Sequence, residues 1–194
     1  MKSRAYLTIA MLALLTLGLP SSTISNIERE ATMEQANTLS SLPSRKGGRP
    51  MTTDTNPHTQ LDQQPEDLTH IYALTDWAFD LQHIHREPSA VSVPGAIAMC
   101  MDEGHTCQSC NAFMIGTEFA HFHPHPDYSL HLGLAKADAE VVIAKGWAEW
   151  HPLIKRGILP PNIVMLYAPR DQEELDAAKS ILQRSYDYAR GKLE

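Results

Sequence analysis

The sequence predicts an α+β fold: a single domain in which a mainly antiparallel sheet packs with N-terminal, central and C-terminal helices. Three observations carry this expectation: an apolar spacing of helical period near residue 70, a succession of short strand-like runs, and a capped amphipathic helix at the end. The first helix follows Pro65-Glu66-Asp67 and places Leu68, Ile71, Tyr72, Leu74, Trp77, Ala78, Leu81 and Ile84 at helical spacing, stopping before Pro88. Strand-like runs follow at 90–93, 96–101 after the Pro94-Gly95 turn, 112–115, 119–123 and 129–134, and several in succession favour antiparallel pairing. A central helix spans 137–145, with Gly146 at the usual left-handed stop. After Pro160-Pro161-Asn162, residues 163–167 read as a buried strand. The last helix opens on Asp171 with Glu174 three residues later, a capping box, and lines up Leu175, Ala178, Leu182 and Ala189 on one face.

The chain divides into a leader, a polar stretch and a body. Lys2 and Arg4 precede an apolar run over 5–19, then Pro20 and small polar residues, which predicts a signal peptide over 1–25 and export to the periplasm or outside the cell. Such a run spans only about 22 Å as a helix, short of the ~30 Å hydrocarbon core, so a retained membrane anchor is the weaker alternative. Translation from Met51 would instead make a cytoplasmic protein. Residues 26–62 are rich in Ser, Thr, Asn, Gln, Gly and Pro with little apolar spacing, and are expected to be a disordered linker. The folded domain is expected over 63–192.

The net charge is −7. The first sixty residues are net basic, so the body is more acidic than the whole. An acidic body without a basic stripe repels phosphate backbones, which sets nucleic acid aside as a partner.

Histidine placement is the most informative feature of the body. Of the 10 histidines, His105, His121, His123, His125 and His131 crowd one stretch, and His151 follows. In an extended segment His121 and His123 share a face, as do Asp127, Ser129 and His131. Imidazole titrates near pH 6.5, where it takes a proton and returns it. The bland alternative is a polar sheet face without chemistry.

The stretch from Phe113 to Pro124, continued by Asp127-Tyr128-Ser129-Leu130-His131, resembles the central motif of the luciferase-domain family, which includes the fungal luciferases. Ser92-Val93-Pro94-Gly95-Ala96 precedes it; the block from Lys145 to Leu153 and the block from Val164 to Arg170, with Glu173-Glu174, follow in order. Tyr128 stands where the family often has a small residue such as glycine, and Cys107-Gln108-Ser109-Cys110 is an insertion foreign to the pattern.

The resemblance implies an oxidoreductase of the oxygenase type, monooxygenase or dioxygenase, that needs no organic cofactor. Its partners would be dioxygen and a small molecule, an electron-rich enol of the hydroxypyrone class. His131 or His123 would remove the enol proton, Asp127 would hold the imidazole tautomer, and Arg170 would stabilise the anion. Arg170 is otherwise a salt-bridge partner of Glu173 or Glu174. Glu149 and His151 form a second candidate pair, with Ser129 beside the histidines.

Metal binding is a different class of function. Cys107 and Cys110 with His121 and His123 would complete a tetrahedral zinc site, or the cysteine pair would oxidise. His121, His123 and His131 would suit an open iron or zinc site. Serine hydrolysis is disfavoured, since Ser129 and His131 lie too far apart along one strand face and no nucleophile elbow exists. A non-catalytic small-molecule binding module completes the alternatives.

Overall fold

The computed structural model describes residues 39–193. The expected leader over 1–25 and the first part of the expected linker lie outside the described residues. Among those described, no helix is long and apolar enough to cross a membrane.

The elements run α1 (Thr69–Phe79), β1 (Ile84–Pro88), β2 (Ile97–Met101), β3 (Glu118–Phe122), β4 (Leu130–Gly133), α2 (Lys136–Ala144), β5 (Ala148–Trp150), β6 (Ile163–Leu166) and α3 (Gln172–Ala189). The strands form one antiparallel sheet in the order β1-β2-β3-β4-β6-β5. Register decides which face each side chain takes. Phe122 pairs with Leu130, Leu130 with Leu166 and Leu132 with Val164, and these side chains are buried in one core with Leu74, Ala78, Ala178, Ile181 and Leu182 from α1 and α3. The next row, one residue out of phase, faces the other way. It reads His121, His131, Met165 and Glu149 across β3, β4, β6 and β5. Apolar alternation on one face therefore places the imidazoles on the other.

The α+β class and the antiparallel sheet are as expected, but local boundaries differ. Ile84 ends no helix; His83, at φ 63, turns the chain from α1 into β1. Residues 90–93 and 112–115 are not strands. Ala112 instead packs under β4, where a Cβ added to Gly133 would stand 2.3 Å from its carbonyl oxygen. The three-residue β5 was too short to show a period. Asp171 caps α3 as expected, its side chain accepting from the Glu174 N–H at 2.9 Å.

The largest difference concerns residues 39–62, expected as linker. Leu39 is buried in the core, Trp147 donates to the Pro43 carbonyl at 2.8 Å, and Arg45 pairs with Glu174 at 3.3 Å. Further on, His58 and Gln60 are both buried, and Gln60 receives the Ala168 N–H at 3.0 Å. This strap is held by point hydrogen bonds to polar side chains and backbone rather than by a periodic apolar face, which is why composition alone misreads it.

Two outcomes follow for stability. Gly133→Ala is expected to cost about 1–3 kcal/mol by overpacking, read as a lower urea midpoint; an unchanged midpoint would contradict the close approach of Ala112. A chain beginning at residue 63 is expected to unfold at lower denaturant than one beginning at 39. Equal midpoints would return 39–62 to the status of a linker.

Candidate functional site

The site is built on the His121–His131 cross-strand pair. His123 follows β3 by one residue and shares the face of His121. The Pro124 to Tyr128 turn then brings Asp127 back beneath it: the Asp127 carboxylate meets His123 Nδ1 at 2.5 Å and accepts the N–H groups of Ser129 at 3.1 Å and Gln60 at 3.2 Å. Tyr128 sits at φ 60 in this turn, the left-handed region where glycine costs nothing. Its side chain lines a separate surface groove with His125, so it does not narrow the histidine site. His151 caps a short 3-10 turn (Pro152–Arg156), its Nδ1 accepting from the Leu153 N–H at 3.1 Å. His58 arrives from the strap.

Four contacts at hydrogen-bond distance join three imidazoles between two carboxylates. Glu118 meets His121 Nδ1 at 2.7 Å, His121 Nε2 meets His131 Nδ1 at 3.0 Å, His131 Nε2 meets His58 Nδ1 at 3.1 Å, and His58 Nε2 meets Glu149 at 2.8 Å. Glu149 also accepts from Thr52 at 2.6 Å and from the Tyr167 hydroxyl at 3.0 Å. His58, His121, His123, His131 and His151 are all buried, each at most 5% exposed.

Burial decides the charge of His131, His121 and His151. It holds the His131 pKa well below the ordinary imidazole value, with the neighbouring imidazoles acting in the same direction. His121 is lowered by burial even though Glu118 pulls it up, and His151 is pushed down to about 3 by burial and then by His58. For Glu118, Asp127 and Glu149, burial raises the pKa, but hydrogen bonds from His121, His123 and His58 respectively, together with other donors, outweigh it. All three stay below their ordinary values. The result is neutral His121, His131 and His151 in a cluster with ionised carboxylates.

The cluster opens on a cavity of about 560 Å³. Val91, Val93, Pro94, Met114, Leu153 and Ile158 supply apolar wall, while all five buried imidazoles reach it. Apolar walls with a few convergent polar groups are the usual form of a small-molecule site.

The structure brings His121, His123, Asp127, Ser129 and His131 together, and His151 joins them. Glu149 joins through His58, not through His151. Arg170 does not belong to the cavity. It spends its donors on Glu174, at 3.0 Å, on Gln63 at 3.0 Å and on the Lys46 carbonyl at 3.1 Å. The salt-bridge alternative holds for it. The mixed Cys/His site is also corrected: Cys107 and Cys110 form a disulfide, which removes both thiolates, and Cys107 packs against the end of α3 through a bond to the Ala189 carbonyl at 2.7 Å. His105 stacks on His83, away from the cluster. Sequence reasoning missed Glu118 and His58. Glu118 had a signal, standing three residues before His121; His58 had none, lying in a polar stretch without period.

Residues 116–185 match the family model described as Luciferase domain. The chain is 32% identical over 179 residues to a luciferase of Armillaria mellea and to one of Armillaria ostoyae, over 80% of this chain and 64% of each relative. A luciferase of Neonothopanus nambi is 41% identical over 73 residues, which are 37% of this chain and 27% of that protein. The chain thus spans less than two thirds of the length of the curated relatives it matches. No solved structure matches significantly. The resemblance to the luciferase-domain family is shown by these matches, and residues 116–185 contain every member of the cluster except His58, Gln60 and Thr52, which come from the strap.

The charge state gives a pH dependence. A buried histidine with a lowered pKa stays neutral while the unfolded chain takes up a proton below pH ~6.5, so its stabilising contribution is full above that value and is lost as pH falls. His151 does so down to about 3. Each such histidine costs about 1.4 kcal/mol per pH unit in that window, and the lowered carboxylates add loss in the same direction at still lower pH. The urea midpoint is expected to drop between pH 7.5 and 5.5; a rise would contradict the neutral assignment.

Proposed function

We propose that the protein is an oxygenase of small enols, acting on a hydroxypyrone-like molecule and dioxygen in the histidine-lined cavity. The observation that carries this reading is five buried imidazoles facing one apolar-walled cavity of about 560 Å³, in a chain similar to proteins named luciferases.

An enol that enters the cavity loses its proton to the lone-pair side of the cluster. Asp127 holds His123 with Nδ1 as donor, leaving Nε2 as the acceptor, while Glu118 orients His121 against His131. Anion stabilisation, assigned to Arg170 by analogy, passes to His151. Its Nδ1 accepts from the Leu153 N–H, so the neutral ring carries its proton on Nε2 and offers it to a developing oxyanion. The enolate carbon then forms a bond to dioxygen, which gains two electrons as a peroxide while the substrate loses two. Apolar walls exclude water from this electron-rich species. The Cys107–Cys110 disulfide supports the exported location, since such bonds persist in oxidising compartments.

Consumption of dioxygen with a hydroxypyrone is the measurement. The parent chain should consume it, and Asp127→Asn should slow it by roughly 10²–10⁴-fold through the wrong His123 tautomer. A parent that binds the pyrone without consuming dioxygen would favour a binding module, and full activity in Asp127→Asn would remove His123 from the mechanism.

A further inference from the structure

Counting one proton on each ring leaves one contact in the imidazole chain without a proton. An ionised carboxylate only accepts. Glu118 therefore sets the proton of neutral His121 on Nδ1, and Glu149 sets that of His58 on Nε2. His58 Nδ1 then carries a lone pair, so His131 donates to it from Nε2. What remains on His131 Nδ1 is a lone pair, and at 3.0 Å it faces the lone pair of His121 Nε2. His123 supplies a third, because its Nδ1 donates to Asp127 and leaves Nε2 bare. Nitrogens of these three rings lie within 4.8 Å of one another. Two lone pairs do not stand in hydrogen-bond contact unless something positive lies between them.

We propose that His121 Nε2, His123 Nε2 and His131 Nδ1 hold one divalent first-row transition-metal ion, with a coordination position open to the cavity for a small molecule. Three imidazoles are a donor set for zinc, iron, cobalt or copper. Two nitrogens each about 2.1 Å from a tetrahedral ion stand about 3.4 Å apart, close to the separation of His121 and His131. Each ligand ring is held from behind. Glu118 backs His121, Asp127 backs His123, and His58 with Glu149 backs His131, the arrangement that fixes tautomer and raises ligand basicity. Charge agrees: among the described residues, no Lys or Arg forms an ion pair with Glu118, Asp127 or Glu149, whose short contacts to basic side chains are to imidazoles. A divalent ion offsets buried negative charge that nothing else on this face offsets.

A second group, His58, His131 and His151, is also compact. It fits less well, because His58 Nδ1 accepts from His131 and His151 Nδ1 accepts from the Leu153 N–H, which spends the lone pairs the ion would need. The ion site needs only the geometry and stands apart from the oxygenation reading. In an enol oxygenase the ion would acidify a bound enol in place of a free imidazole. The rival occupant is one additional proton on the chain of rings, shared between His121 and His131 or carried further along it.

The test uses the full chain without an affinity tag, stripped by chelator, checked for its fold and titrated with Co²⁺ alone by visible absorption. One Co²⁺ per chain is expected, with ligand-field bands that Zn²⁺ abolishes by displacement. His123→Ala should weaken binding more than about 100-fold and Asp127→Asn by about 10–100-fold, the usual effect of removing a hydrogen-bond partner of a ligand. His85→Ala, in the separate group of exposed His85 and Glu87 with buried Cys100, should change nothing. Asp127→Asn keeps the test decisive if His123→Ala does not fold. A folded, stripped chain that takes up neither Co²⁺ nor Zn²⁺ at micromolar concentration would overturn the proposal in favour of the shared proton. Uptake indifferent to both His123→Ala and Asp127→Asn, or lost in His85→Ala, would overturn it as well.

Discussion

The pairing of buried carboxylates with buried imidazoles is the constraint on which the rest of the site depends. A buried imidazole has two nitrogens to satisfy and a choice of which carries the proton; an ionised carboxylate removes the choice. Glu118, Asp127 and Glu149 make that choice for His121, His123 and His58, and the His131 tautomer follows from its neighbour. Leaving any of these groups unpaired in the interior would cost about 1–3 kcal/mol or more. The cluster therefore folds as a connected set.

The sheet and the strap divide the work of assembling that set. Register across β3 and β4 puts His121 opposite His131, and the same register sends Phe122, Leu130 and Leu132 to the helix side. The apolar core thus specifies the polar face indirectly: a slip of one residue would exchange the two. The strap closes the polar side. Its His58 completes the chain to Glu149, and its Gln60 links Asp127 to the Ala168 N–H. Gln63, just beyond it, binds both Arg45 and Arg170, so the arginines around Glu174 tie this closing segment to α3 rather than acting in the cavity.

What was legible in the sequence was whatever repeats. α3 announced itself through Asp171, Glu174 and the Leu175 to Ala189 face, and β3 and β4 through alternation that put His121 with His123 and, separately, Ser129 with His131; the family resemblance joined the two groups. Asp127 was legible as a partner because it stands in the same short block. The strap was not legible, since its contacts are single polar bonds from residues such as Arg45, His58 and Gln60 to positions about 67 to 129 residues away. Arg170 was misread because analogy supplied a role without a distance, while Glu174, one helical turn on, offered a nearer charge.

Direct observation of the ring nitrogens tests the carboxylate-set tautomers most directly. In long-range ¹H–¹⁵N spectra of the histidine-labelled chain at pH 7.5, His121 and His123 are predicted as Nδ1–H rings, and His58 and His131 as Nε2–H rings. Nε2–H protonation of His121 and His123, or exchange-averaged signals from all the rings, would contradict the account.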